Sequence, residues 1–397
     1  MAELFHMGDV FSSETSDKKK TRLMFFIVAL VLIVGIGILM TVSYFYNNRC
    51  FNSYRVENSI ARGDSNSAVY RYFQGDLLKY SRNGISAMTN TGKTLWNGGY
   101  EMKQPQLDTC GEYVVVADAA GKQLYVYNGK DEGTEIETAL PLKRAKVSAQ
   151  GIVAALVQDS DSNILNLYNP YSSTDSLLIE IPTNVDEEGY TLDYDISPDG
   201  NSIAAAYVTV SGITVENKVS FYNFTAVGQD KNTLVGGKSF GDKMISGIEF
   251  LDEDDVAVFH EKGFSVFTKM KQPEVLFEKE FEESIRSIAF DESHIAVVTE
   301  NPAEGEKQIL RVYSKRGREV LKREIAYEYA DMKIYGDEII FSGSHHCNIV
   351  RINGNDKLEC EFENGVDAIF PTGNGSIYTM IDAESILKIK LAMKRAD

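Results

Sequence analysis

One pattern constrains this chain more than any other. From residue 68 to the C-terminus it repeats the same unit: a short apolar strand, a turn, an alternating strand that often ends in aromatic-Asn, another turn, and a further alternating strand. Clear copies are EYVVVADAAGKQLYVYNG from Glu112 and GIVAALVQDSDSNILNLYNP from Gly151, with later ones starting at Ser202, Asp255, His294, Glu338 and Ser376, and an eighth preceding them from Leu77. Equivalent residues at the end of the second alternating strand are Tyr127, Tyr168, Tyr222, Phe267, Tyr313, Ile352 and Ile389. Subtracting their numbers gives spacings of 41, 54, 45, 46, 39 and 37. A period of about 40 to 50 residues is that of a four-stranded propeller blade.

Each unit also has a leading strand, as in Leu192, Tyr194 and Ile196, and an outer one, as in Leu358, Cys360 and Phe362. Turns such as Asn83-Gly84, Asn128-Gly129 and Asn353-Gly354 supply the positive φ that tight connections need. A blade cannot bury both its faces alone, so blades must stack in a ring, and closing the ring protects strand edges. The sequence therefore predicts an all-β propeller of about eight blades, with seven as the alternative. A strand drawn from Tyr54 to Phe73 is expected to complete the last blade. The wide interval before Tyr222 implies an insertion in the fourth.

Ahead of the repeats lies the other strong signal. From Leu23 to Tyr46 the chain reads LMFFIVALVLIVGIGILMTVSYFY, 24 residues without a charge. At 1.5 Å per residue this spans a hydrocarbon core of about 30 Å. Lys18, Lys19, Lys20 and Arg22 precede the run, and only Arg49 and Arg55 follow closely, so the positive-inside rule expects a cytoplasmic N-terminus. Tyr44-Phe45-Tyr46-Asn47-Asn48 is no cleavage site of small residues, which favours an uncleaved anchor. The expected organisation is a cytoplasmic tail (1–22) without regular structure, a transmembrane helix (23–46) in the lipid bilayer, a linker or closing strand (47–67), and an extracytoplasmic propeller (68–397). This places the chain at the cell membrane as a single-pass protein.

The formal net charge of −18 belongs to the outer domain, because the four acids and four bases of residues 1–22 cancel. Nucleic acid is not an expected ligand, and the acidity should repel anionic lipid and phosphate-bearing polymers. Four cysteines, Cys50, Cys110, Cys347 and Cys360, are too few to staple a domain of this size. Cys347 and Cys360 flank a turn, slightly out of register, which leaves a bridge between them open.

Chemistry-bearing motifs are sparse. His345 and His346 are successive strand residues whose rings point to opposite faces, and His260 and His294 fall in other blades. Leu251-Asp252-Glu253-Asp254-Asp255 lacks the alternating ligands and glycine of an EF-hand loop and reads as a solvated turn. A Gly-x-Ser-x-Gly elbow, a phosphate loop and a Cys-His nucleophile pair are all missing from the sequence. No residue is expected to have a catalytic, cofactor-binding or metal-binding role, and no cofactor is expected.

Ser197–Ala204, SPDGNSIA, resembles the turn signature of WD40-like and TolB-type propeller repeats, and GKTLW from Gly92 resembles the quinoprotein-like repeat. That second resemblance does not carry a quinone with it, because Trp96 is the single Trp and sits at a blade-docking position. Over the whole chain the layout, together with ISAMTNTGKTLWNGGYEMKQP and VSFYNFTAVGQDKNTLVGG, is similar to a family of membrane-anchored propellers from Gram-positive anaerobic bacteria, the domain of unknown function 5711 type. The resemblance implies fold and location without an activity. The function expected is a non-catalytic scaffold or sensor that binds a protein partner or cell-wall ligand through its propeller loops, foremost residues 208–217 and 225–240 of the fourth blade. A cell-envelope glycan or peptide hydrolase with its site in the channel is the alternative.

Overall fold

The second strand of each repeat reads as an unbroken apolar run, which is how a strand covered on both faces must read. In Tyr113–Asp118, Val114, Val115 and Val116 are all fully buried. Outer strands alternate instead, as Glu319–Ile325 does, because one of their faces meets solvent. The computed structural model describes residues 7–63, 67–130, 132–159, 162–173, 175–229, 233–301 and 307–394. Residues 1–6 of the tail and 64–66 of the linker lie outside these.

Eight antiparallel four-stranded sheets form the domain. Seven use consecutive strands, spanning 69–99, 105–137, 142–184, 190–241, 245–280, 285–325 and 331–361, and are numbered blades one to seven from inner to outer strand. Blade eight takes three strands from 366–392 and its outermost from the N-terminal side, Ser53–Ala61. That strand pairs with Ser385–Ala392, Ser53 facing Ala392 and Ala61 facing Ser385, and so closes the ring. Val69–Phe73, which the sequence reading left available for closure, is instead the inner strand of blade one.

The aromatic residues that set the repeat period are where blades dock. Tyr127 of blade two stacks on Trp96 of blade one at 5.6 Å, Phe267 meets Phe221 of the preceding blade at 4.8 Å, and Tyr313 meets Phe264 at 5.7 Å. Each buried ring contributes about 1.5–3 kcal/mol by leaving water, and each aromatic pair about 0.5–1.5 kcal/mol more.

Neighbouring inner strands run in the same sense, since Asp193 and Asp195 of blade four accept from the amides of Ile248 and Phe250 of blade five in step. The ring thus has two distinct faces. One, here the anchor face, carries Ser53, the turns after each inner strand and the turns after each third strand. The far face carries the hairpin tips joining second and third strands.

Two features differ from expectation. Cys347 and Cys360 are direct cross-strand partners rather than offset, because a bulge between Ile349 and Val350 shifts the register by one residue. Both thiols are free. Ahead of the ring, the apolar segment belongs to one helix, Met7–Asn47, that also takes in most of the tail. Once a long apolar helix is nucleated, adding turns at its end needs no new nucleus. Met24–Phe45 is long and apolar enough to cross a membrane and is not buried by the propeller.

If Ser53–Ala61 closes the ring, a chain beginning at residue 62 should lose the sharp thermal transition of the full-length protein in far-ultraviolet circular dichroism. An unchanged midpoint would show that blade eight stands without it.

Candidate functional site

Two regions gather groups that could act on another molecule: the channel and one far-face hairpin. The channel is lined by the inner strands, and four of these carry a charged side chain at or near their penultimate position: Asp108, Lys146, Asp195 and Glu249, from blades two to five. Lys146 Nζ lies 3.5 Å from Asp108, 3.4 Å from Asp195 and 3.4 Å from Glu249. Asp108 and Asp195 also accept amide hydrogens of the next blade, from Val147 at 2.9 Å and Phe250 at 2.7 Å. Arg144 pairs with Asp193 beside them.

Three carboxyls thus surround one ammonium, Asp195 buried and the other three side chains partly exposed. Burial, followed by the charge of Asp195, pushes Glu249 up to about 8, and burial raises Asp195 to about 6 against the pull of Lys146. The carboxylates in turn hold Lys146 well above its ordinary value despite its burial. A cavity of about 310 Å³ adjoins the cluster at the anchor face, with Cys110, Asp252 and Glu292 among its walls. The Cys110 thiol is pushed up to about 12 by burial and by Asp108, so it is no nucleophile at neutral pH.

The hairpin is the insertion expected in blade four. Ser202–Ser211 and Thr214–Asn223 pair along their full length, from Ser202 facing Asn223 to Ser211 facing Thr214. Their neighbours stop earlier: the inner strand pairs no further than Val208 and the outer strand no further than Asn217. Residues 209–216 therefore project as a two-stranded ribbon. Val210 is 66% exposed, Val215 38%, and Ile213 fully. The ribbon's base is braced by the helical turn Val185–Glu188 and by Gly189, where φ is +97° and a Cβ would lie 2.3 Å from the Val208 carbonyl oxygen, leaving no room for a side chain. Tyr207 and Tyr222 join their hydroxyls at 3.0 Å beneath it. Residues 225–240, expected to join this surface, instead form a helical turn, Ala226–Gln229, and most of the outer strand, Leu234–Gly241, on the blade's outer edge.

The remaining sequence-level candidates are scattered. His345 bonds to Ser344, His346 to the carbonyl of Glu328, and His260 is buried against Phe240. Asp252 caps its own turn by accepting from the amides of Asp254 and Asp255, and bridges to Lys315 of blade six at 2.7 Å. Among the described residues no group of three or more His, Cys, Asp or Glu is set to hold a metal ion. The channel cluster escaped sequence reading because its members are 38 to 54 residues apart, one per blade. The available signal was a charge interrupting the end of successive leading strands.

The family profile described as "Family of unknown function (DUF5711)" matches residues 47–391. No curated protein matches the chain. Among solved structures, BamB from Moraxella catarrhalis is similar over 85% of this chain and 100% of its own, at 10% identity and a TM-score of 0.53. A eukaryotic initiation factor is similar over 86% of this chain and 87% of its own, at 11% identity and a TM-score of 0.54. At such identities the likeness shows a shared propeller fold.

Two outcomes test the channel cluster. Replacing Lys146 with Met leaves the buried Asp195 and the partly exposed Asp108 and Glu249 without their cation and should cost up to about 3 kcal/mol of unfolding free energy in urea titration. Glu249 behaves differently. Folded, it holds its proton to about pH 8, whereas unfolded it releases it near its ordinary value of 4.5. The folded state binds more protons between those limits, so stability falls as pH rises through them. Glu249→Gln should remove its share of that decline, leaving the smaller one of Asp195 below about pH 6, and be more thermostable than wild type at about pH 8. Parallel midpoint curves would exclude the raised proton affinity.

Proposed function

The chain belongs to the DUF5711 family, and from that premise we propose that it is a membrane-anchored binding scaffold. Its apolar helix holds the ring at the outer membrane surface with the N-terminus in the cytoplasm, and the propeller binds a protein partner through its far face. The observation that carries this reading is the ribbon of residues 209–216. An isolated two-stranded ribbon is marginally stable in water, and here it exposes Val210, Ile213 and Val215 together at its tip. It lies on the opposite face of the ring from the linker that leads to the helix. A device anchored at one face and apolar at the other is suited to hold something away from the bilayer. The four lysines and arginines before the apolar run support the orientation.

A second reading draws on the channel. Glu249, which retains its proton, stands with Asp195 around Lys146 beside an open cavity, the pairing of carboxyls that acid–base hydrolysis of a glycan requires. Turnover of wall fragments by the full-length protein, lost in Glu249→Gln, would favour an enzyme.

The scaffold is tested by placing a photo-crosslinking residue at Ile213 in intact cells and identifying what it captures. A single protein captured from Ile213 and not from an exposed outer-strand site such as Val275 is the expected result. Shortening 209–216 to a two-residue turn should abolish capture with the thermal midpoint retained. Capture that survives the shortening would remove the ribbon from the interface.

A further inference from the structure

The junction between helix and ring is built rather than open. The linker does not dangle. Asn48 Oδ1 accepts from the side-chain amides of Asn353 and Asn355, both at 2.8 Å, and the Arg49 carbonyl accepts from Arg351 at 2.9 Å. Phe51 then pairs as a short bridge with Leu358, its amide donating to the Lys357 carbonyl at 2.8 Å and its carbonyl accepting from the Glu359 amide at 3.0 Å. Every residue from Asn48 to Phe51 except Cys50 is tied to blade seven, so the ring sits within a few residues of the helix end at Asn47.

Beside this junction, between blades seven and eight on the anchor face, opens a cavity of about 800 Å³. Five cations line it: Arg49, Arg55, Arg351, Lys357 and Lys390. The acids in its wall are Asp337 and Glu338, and Glu338 is taken by Lys357 and by the Tyr378 hydroxyl. Arg351 is buried, and its guanidinium bonds to the carbonyls of Asp356 and Arg49 rather than to a carboxylate. Arg55 and Lys390 are direct partners across the closing strand pair, a juxtaposition of like charges that costs stability unless an anion lies between them. Among the described residues neither has a carboxylate at ion-pair distance, whereas Lys388 on the same strand does, with Glu57 at 3.6 Å. A protein of net charge −18 thus gathers an excess of positive charge at one place, where the chain leaves its helix.

We propose that this cavity binds a phosphate-bearing anion, and that its source is the headgroup of an anionic phospholipid in the bilayer that the helix crosses. Arginine and lysine recognise phosphate by charge-assisted hydrogen bonds, and basic residues near a membrane surface draw anionic headgroups over about a Debye length. Phe51 and the exposed Met393 at the rim offer apolar surface to the glycerol and upper acyl region. The composition-level expectation that this domain repels phosphate-bearing polymers is reversed at this one cavity. The inference rests on the anchor reading.

The test uses the full-length protein in neutral detergent, examined by native mass spectrometry with added phosphatidylglycerol, phosphatidylcholine or glycerol 3-phosphate. Phosphatidylglycerol adducts should exceed phosphatidylcholine adducts by roughly tenfold or more and fall by a similar factor in Arg55→Gln/Lys390→Gln, whose circular dichroism should match wild type. Glycerol 3-phosphate should compete. If glycerol 3-phosphate binds and phosphatidylglycerol does not, the anion site stands with a soluble phosphate ester and the lipid source is overturned. Equal adducts from both lipids with no effect of glycerol 3-phosphate, or adducts retained in the double variant, overturn the site. Extraction of the chain from cell membranes by alkaline carbonate would separately overturn the anchor, so the two failures are distinguishable.

Discussion

A sheet that is apolar on both faces can stand only between two others, and the whole architecture follows from that requirement. Each second strand here, such as Val256–His260 with all five residues buried, is uninhabitable in water unless neighbours cover both sides. Eight such sheets satisfy one another only when the eighth meets the first. The completing strand, Ser53–Ala61, comes from just beyond the helix, which couples the position of the apolar helix to the integrity of the ring.

The same demand for coverage explains the charge in the channel. At the channel, Asp108, Asp193 and Asp195 accept amide hydrogens from the next blade, and Lys146 of blade three ties blades two to five together. Burial and the excess of carboxyls over ammonium raise the proton affinity of Glu249, which makes this part of the channel responsive to pH in a way that the apolar blade interfaces are not.

The fold was legible in the sequence because the residues that mark its period are those that dock the blades. Tyr127, Phe267 and Tyr313 recur at blade spacing since each fills the same seam. The insertion in blade four was equally visible, as excess length between Val208 and Asn217. What sequence could not show was juxtaposition across blades. Nothing local links Lys146 to Glu249, or Arg351 to Arg49, some three hundred residues apart. Register was also hidden where a bulge intervened: counting back from Val350 opposite Asp356 sets Cys347 against Glu359, one residue short of Cys360, and only the shift at Ile349 brings the two cysteines together. The helical extension through Met7 escaped because its residues are polar and take their conformation from the helix that follows.

The direction of the closing strand has a mechanical meaning. It enters at the anchor face and runs outward, so a pull between the helix and anything held at the opposite face acts along the strand's own axis. The hydrogen bonds joining Ser53–Ala61 to Ser385–Ala392 lie across that line and share the load, so the strand must slide as a unit rather than peel open bond by bond. The element that completes the ring is therefore also its link to the helix, and any such pull would load it in shear, the orientation in which a sheet resists tension best.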